Sequence, residues 1–329
     1  MRQEKTSVLP GLILVLVGAV PAWYLGRMLP LIGGPVFGIL IGILLAFWQR
    51  PVIFERGINF ASKQGLQIAV ILLGFEMNLY RVLSVSSQSL LLVFFTLSAV
   101  FATAMIVGCR LRLSENIRTL IGVGTAICGG SAIAATAPVI KADDREVAYA
   151  ISTIFLFNIL AVFIFPPVGH LLQMSDMGFG IWAGTAINDT SSVVAAGYAF
   201  GDEAGNMATI VKLARSLMIV PVTLALTLLF AKKKGQGSNF NLVEVFPWFV
   251  LGFLAASIIN TLGFVPLEVA QGLARTGKLV IIIALTAIGL KTNLRKMFSY
   301  GLRPIVLGFA CSVSVALTSL GIQYVSKLW

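Results

Sequence analysis

Long apolar stretches, separated by short clusters of charge, fill almost the whole chain. A membrane-spanning helix needs about 20 mostly apolar residues. Uncharged stretches of that order run over Thr6–Gly26, Met28–Gln49, Val82–Cys109, Thr119–Ile140, Val147–Ser175, Val245–Leu267 and Pro304–Ser326. Four more are shorter or interrupted. Gln64–Phe75 stops at Glu76, and Met177–Gly201 carries Asp189 at its middle. Met207–Ala231 carries Lys212 and Arg215, and Leu279–Leu290 stops at Lys291. The pattern predicts an all-α integral membrane protein of about eleven transmembrane helices. The spans fall near 6–26, 31–49, 64–80, 84–109, 117–140, 147–170, 178–201, 206–231, 244–265, 277–294 and 303–326, within one polytopic domain covering 1–329.

Composition narrows the class. Hydrophobic residues make up 58% of the chain and charged residues 11%, against about 45–50% and 25% in soluble domains. A soluble enzyme, a nucleic-acid module and a disordered chain are excluded on that ground. The net charge of +11 does not imply nucleic acid, because most Lys and Arg sit in short breaks between apolar runs. With the N-terminus placed in the cytoplasm, the inner loops hold Arg50, Arg56 and Lys63; Arg110, Arg112 and Arg118; Lys232, Lys233 and Lys234; and Lys291, Arg295, Lys296 and Arg303. The outer segments are poorer in base. The expectation is a multi-pass protein of a bacterial inner membrane, N-terminus inside and C-terminus outside. The basic Met1–Lys5 precedes a run without a small-residue cleavage site, which reads as a retained first helix.

Enzyme chemistry finds little support. The chain has 3 cysteines and 1 histidine, so no disulfide framework, metal site or Ser–His–Asp arrangement is expected. No phosphate-binding GxxxxGK[ST] motif is present. The expected cofactors, catalytic residues and metal ligands are therefore none.

Two internal repeats stand out. Gly74-Phe75-Glu76-Met77-Asn78-Leu79 matches Gly289-Leu290-Lys291-Thr292-Asn293-Leu294, with opposite orientations in this topology, as inverted-repeat carriers require. Gly124-Thr125-Ala126-Ile127-Cys128-Gly129-Gly130-Ser131 matches Gly184-Thr185-Ala186-Ile187-Asn188-Asp189-Thr190-Ser191. The topology gives this second pair the same orientation. Either one segment is re-entrant, or a span is miscounted, or the likeness is convergent.

The second repeat holds the candidate chemistry. Gly129 and Gly130 weaken a helix by about 1 kcal/mol each relative to Ala. A break there leaves a half-helix N-terminus in mid-membrane, with Ser131 beside it and Pro138 ending the run. Free N–H groups at such an end attract anions; close packing through small residues is the alternative. Asp189 is the one acid at the centre of a run, where a charge costs at least about 2.5–3.5 kcal/mol. It can carry a proton, bind a cation or neutralise a base. Lys212 and Arg215, three apart, share a helix face. Lys212 can snorkel outward if the helix starts near Asn206, whereas Arg215 lies deeper and suits an oxyanion. Asn158 reads as a helix–helix hydrogen bond, with a place in the site as the alternative. Glu76 and Lys291 read as interfacial charges, and His170 is given no role.

These motifs, with Gly65-Leu66-Gln67 and Val211-Lys212-Leu213-Ala214-Arg215, resemble those of the sulfate exporter family of bacterial inner-membrane proteins. That family is grouped with cation:proton antiporters and bile-acid symporter-like carriers. The resemblance implies discontinuous, crossed helices, panel plus core domains and alternating access. The expected function is secondary export of a small anion such as sulfate, sulfite or a sulfonate. Thr125, Gly129, Gly130, Ser131, Asn188, Thr190, Ser191, Lys212 and Arg215 are the expected substrate contacts, and Asp189 the coupling group for a proton or sodium. A sodium- or potassium-for-proton antiporter using Asp189 is the alternative. Expected partners are membrane lipid, the anion and a second copy in a homodimer, without nucleic acid.

Overall fold

The computed structural model describes residues 7–29, 33–48, 50–234, 246–292 and 301–327. Met1–Lys5, Arg295 and Lys296 of the charge tally, and the last two letters of the first repeat, Asn293 and Leu294, lie outside them. Among the described residues every regular element is helical. Among the described residues, seven helices are long and apolar enough to cross a membrane: Leu9–Met28, Val52–Glu76, Ser89–Arg110, Asp144–Leu171, Asp202–Leu226, Leu267–Lys291 and Leu302–Ser326. Shorter apolar helices cover Gly34–Ala46, Gly130–Ile140 and Trp248–Thr261.

We number the helices α1 (Leu9–Met28), α2 (Gly34–Ala46), α3 (Glu55–Phe60), α4 (Leu66–Leu73), α5 (Leu79–Arg110), α6 (Glu115–Ala126), α7 (Gly130–Ile140), α8 (Asp144–Leu171), α9 (Asp176–Ala186), α10 (Thr190–Phe200), α11 (Asp202–Ser216), α12 (Ile219–Lys234), α13 (Trp248–Thr261), α14 (Leu267–Lys291) and α15 (Leu302–Ser326). A π-helical turn, Ala61–Gly65, joins α3 to α4. The chain forms two compact units, one from residues 1–83, 194–206 and 248–293, the other from 84–193, 207–247 and 294–329. Three of the boundaries fall inside α5, α10 and α11.

In the first unit, small residues let backbones touch, the usual route to helix association in lipid. A Cβ added at Gly42 would lie 2.3 Å from the Thr286 carbonyl oxygen, and one at Gly289 would lie 2.4 Å from that of Ile39. Only glycine fits this α2–α14 crossing. The end of α14 is closed by Arg50, whose Nη1 donates to the Leu290 carbonyl at 2.8 Å, and the Lys291 Nζ reaches the Ser62 Oγ at 3.3 Å. Lys278 lies 3.6 Å from Glu76 and 3.2 Å from Asp202. Arg81 pairs with Glu203.

In the second unit, α8 opens with a reciprocal cap. Asp143 accepts from the Glu146 N–H at 2.7 Å, and the Glu146 carboxylate accepts from the Asp143 N–H at 3.2 Å. A buried polar seam joins α9 to α15. The Thr185 and Ser319 hydroxyls lie 2.6 Å apart, and the Trp182 Nε1 donates to the Ala316 carbonyl at 3.2 Å. Two expectations need correction. Pro138 does not end its run, because α7 continues through it to Ile140. Helix α11 starts at Asp202, with two acids in its first turn, rather than near Asn206; acids there favour the positive helix end. That earlier start sets Lys212 and Arg215 deeper, and both are 0% exposed. Lys212 therefore does not snorkel.

Candidate functional site

The two matching segments break at the same letters. Helix α6 ends at Ala126 and α7 resumes at Gly130; α9 ends at Ala186 and α10 resumes at Thr190. Both leading halves start from a serine cap. The Ser114 Oγ accepts from the Ile117 N–H at 3.2 Å, and the Ser175 Oγ accepts from the Gly178 N–H at 3.0 Å. The breaks arise differently. At the first, Gly129 takes φ 69° and ψ −127°, a conformation open to glycine and strained for residues with a Cβ. At the second, Asn188 and Asp189 offer side-chain alternatives to helical backbone bonds. Asp189 caps α10: its Oδ2 accepts from the Ser191 N–H at 3.1 Å and from the Ser191 hydroxyl. At α7 the cap residue is Gly129, which has no side chain to offer, and the Cys128 sulfur accepts from the Ala132 N–H.

Each leading half exposes orphan carbonyls and a negative helix end at its break. Lys212 and Arg215 meet both. The Lys212 Nζ donates to the Ile127 carbonyl at 2.7 Å and to that of Ile187 at 3.2 Å. The Arg215 Nε donates to the Ala126 carbonyl at 2.6 Å, Nη2 to that of Thr125, and Nη1 to those of Thr185 and, at 3.2 Å, Ile187. One guanidinium and one ammonium thus tie two half-helix C-termini together. Backbone groups without such partners are very costly away from water.

The structure gathers most of the residues expected from the sequence. Thr125, Asp189, Lys212 and Arg215 surround the two breaks. Asn188, Thr190 and Ser191 are buried in the second break and the first turn of α10. Gly130 is half-buried and Ser131 exposed at the start of α7. The Thr125 Oγ1 and Asn188 Oδ1 are buried with no hydrogen-bond partner. One feature was missed. The cations hold backbone carbonyls, which no side-chain pattern announces. Asn158 of α8 reaches into the breaks, its Oδ1 accepting from the Asp189 N–H at 3.3 Å; its signal was a lone amide within an apolar run. The charged members of the first repeat lie elsewhere, Glu76 with Lys278 and Lys291 with Ser62.

These features define a multi-pass α-helical membrane protein with two discontinuous helices joined at buried cations. Comparison with known proteins gives the family. A model described as conserved hypothetical protein 698 matches residues 10–308, and the chain belongs to that family. A UPF0324 membrane protein of Streptococcus pyogenes serotype M18 is 50% identical over 98% of each chain. Another from Fusobacterium nucleatum is 46% identical over 95% of this chain and 96% of its own. One from Streptococcus agalactiae serotype V is 46% identical over 98% of each. No solved structure matches the chain.

Proposed function

We propose that the protein is a secondary transporter for a small anion such as sulfate, sulfite or a sulfonate. One observation carries the reading: α7 starts from a glycine cap, Gly129, directly after the segment whose carbonyls two buried cations hold. A helix N-terminus of that kind offers N–H donors and positive potential to an anion. Glycine-interrupted helices in a hydrophobic chain are also where carriers place their sites. In this reading Ser131, Thr190 and Ser191 supply hydroxyl donors, while Lys212 and Arg215 supply positive potential as they brace the breaks. Asp189 couples transport to a proton or sodium.

The wider architecture proposed with it has about eleven crossings, inverted repeats, and panel and core parts that alternate access between the two sides. The N-terminus lies in the cytoplasm, and a homodimer is the proposed assembly. The protein performs transport and no catalysis, and it needs no cofactor.

Proteoliposomes loaded with labelled sulfate or sulfite test the reading. Efflux faster than from protein-free liposomes, and saturating with concentration, is expected. Equal efflux would refute it, and efflux that never saturates would indicate a channel.

A second reading is cation-for-proton exchange. It is favoured by the oxygen acceptors near Asp189, including the partnerless Asn188 Oδ1. A sodium- or potassium-driven response of an internal pH dye, without any sulfur oxyanion present, would select it.

A further inference from the structure

The first break joins two short helices. Helix α6 has 12 residues and α7 has 11. At 1.5 Å per residue each is about half as long as the roughly 30 Å of hydrocarbon in a bilayer. In one through-going run their far ends would meet opposite faces. Three contacts place those ends together instead. The Glu146 carboxylate, in the first turn of α8, accepts from the Ser114 hydroxyl at 2.6 Å and from the Asn116 Nδ2 at 2.7 Å. The start of α6 therefore touches the start of α8, and α7 ends at Ile140, just before α8 opens at Asp144. A Cβ built on Gly124 would lie 2.9 Å from the Ile133 Cδ1, although nine residues of one helix rise about 13 Å. The same Cβ would lie 3.0 Å from the Ile154 Cγ1 of α8. Gly124 is the tenth residue of α6 and Ile154 the eleventh of α8, so both helices descend from one face.

We infer that Glu115–Ile140 is a re-entrant hairpin that enters and leaves by the face where α8 begins, carries the first break at its tip, is clasped at its mouth by Glu146, and gates the break from that face. The stretch near 117–140 then does not cross the membrane. Helix α8, with 28 residues, does cross, so α9 starts from the far face and runs in the opposite sense to α6, as inverted repeats require. Irregular backbone at that depth survives only where protein or a water-filled cavity satisfies it. At the tip, Lys212 and Arg215 hold the carbonyls of Thr125, Ala126 and Ile127. At the mouth, the Glu146 carboxylate gathers a third donor, the Asp143 N–H. The gating role rests on the transporter reading above; the hairpin itself does not.

The test reads which face each end meets. With Cys128→Ala and Cys311→Ala, the exposed Cys109 at the end of α5 is the remaining thiol. Further chains add Cys109→Ser and carry either Asp144→Cys or Leu171→Cys. A membrane-impermeant maleimide is offered to right-side-out and to inverted vesicles. Position 144 should label in the same vesicle orientation as Cys109, and position 171, at the far end of α8, only in the other. Labelling of 109 and 144 from opposite faces would overturn the hairpin. Arg145→Cys gives the same reading should the Asp144 variant not fold. A second arm tests the clasp. With Cys109→Ser and Cys311→Ala, Cys128 is the remaining thiol, 7% exposed. Its labelling rate from the face of Cys109 is compared with and without Glu146→Ala. Losing hydrogen bonds to a carboxylate should raise the open population, and with it the rate, roughly tenfold or more. An unchanged rate overturns the clasp and the gate. Asn116→Ala, which removes one donor, serves if the Glu146 variant does not fold. Neither arm contains sulfate or sulfite, so efflux judges the transporter reading separately.

Discussion

The adjacent glycines at the first break should respond to the same substitution with opposite signs. Gly129 precedes α7 at φ 69°, whereas Gly130 is the first helical residue. An added Cβ at Gly129 would meet Ile154 Cγ2 at 3.5 Å and the Asn158 Nδ2 and Asp189 Cβ at 3.6 Å, all ordinary contact distances. Its cost is therefore backbone strain alone, about 1–3 kcal/mol for a residue held in so sparse a region. A Cβ at Gly130 would find Phe155 Cε2 at 3.9 Å, with the backbone already helical. Alanine there restricts the unfolded chain and should stabilise by about 0.4–1 kcal/mol. Unfolding midpoints of Gly129→Ala and Gly130→Ala in detergent, read by intrinsic fluorescence across a denaturant series, check this. The first should fall below wild type and the second should match or exceed it. Equal loss in both would mean that crowding, not backbone conformation, makes the break.

Other substitutions probe other links. Arg215→Leu strands the carbonyls of Thr125, Ala126 and Thr185; at about 1–3 kcal/mol for each buried orphan, little folded protein should survive size-exclusion chromatography. Gly42→Ala forces a methyl group toward the Thr286 carbonyl at 2.3 Å and should cost about 1–3 kcal/mol in unfolding midpoint as an overpacked crossing. Asp202→Asn should change that midpoint by less than about 1 kcal/mol, because its partner Lys278 is 27% exposed and Asp202 itself 75% exposed.

Hydrophobic pattern alone made the helical, membrane-spanning class legible, since an 11% charged chain has no other stable home. The paired segments at Thr125–Ser131 and Thr185–Ser191 also announced themselves, because glycine, Asn and Asp interrupt helices for local reasons. What the pattern did not reveal is tertiary. Arg215 reads as a ligand for a soluble anion because its letter states a charge and not a partner; main-chain carbonyls of α6 and α9 occupy its donors. Asn158 was legible as a polar residue in an apolar run, but not as a neighbour of Gly129. The depth of Lys212 was misjudged because the start of α11 depends on acids at Asp202 and Glu203, ahead of the apolar stretch.

The bracing of the two breaks acts on main chain rather than on side chains. Ile127 and Ile187 are held through their carbonyls, so their side-chain identities are not specified by Lys212 and Arg215. Substitutions at these two isoleucines can therefore leave this clamp intact. Main-chain bracing and side-chain identity at the breaks can be varied separately.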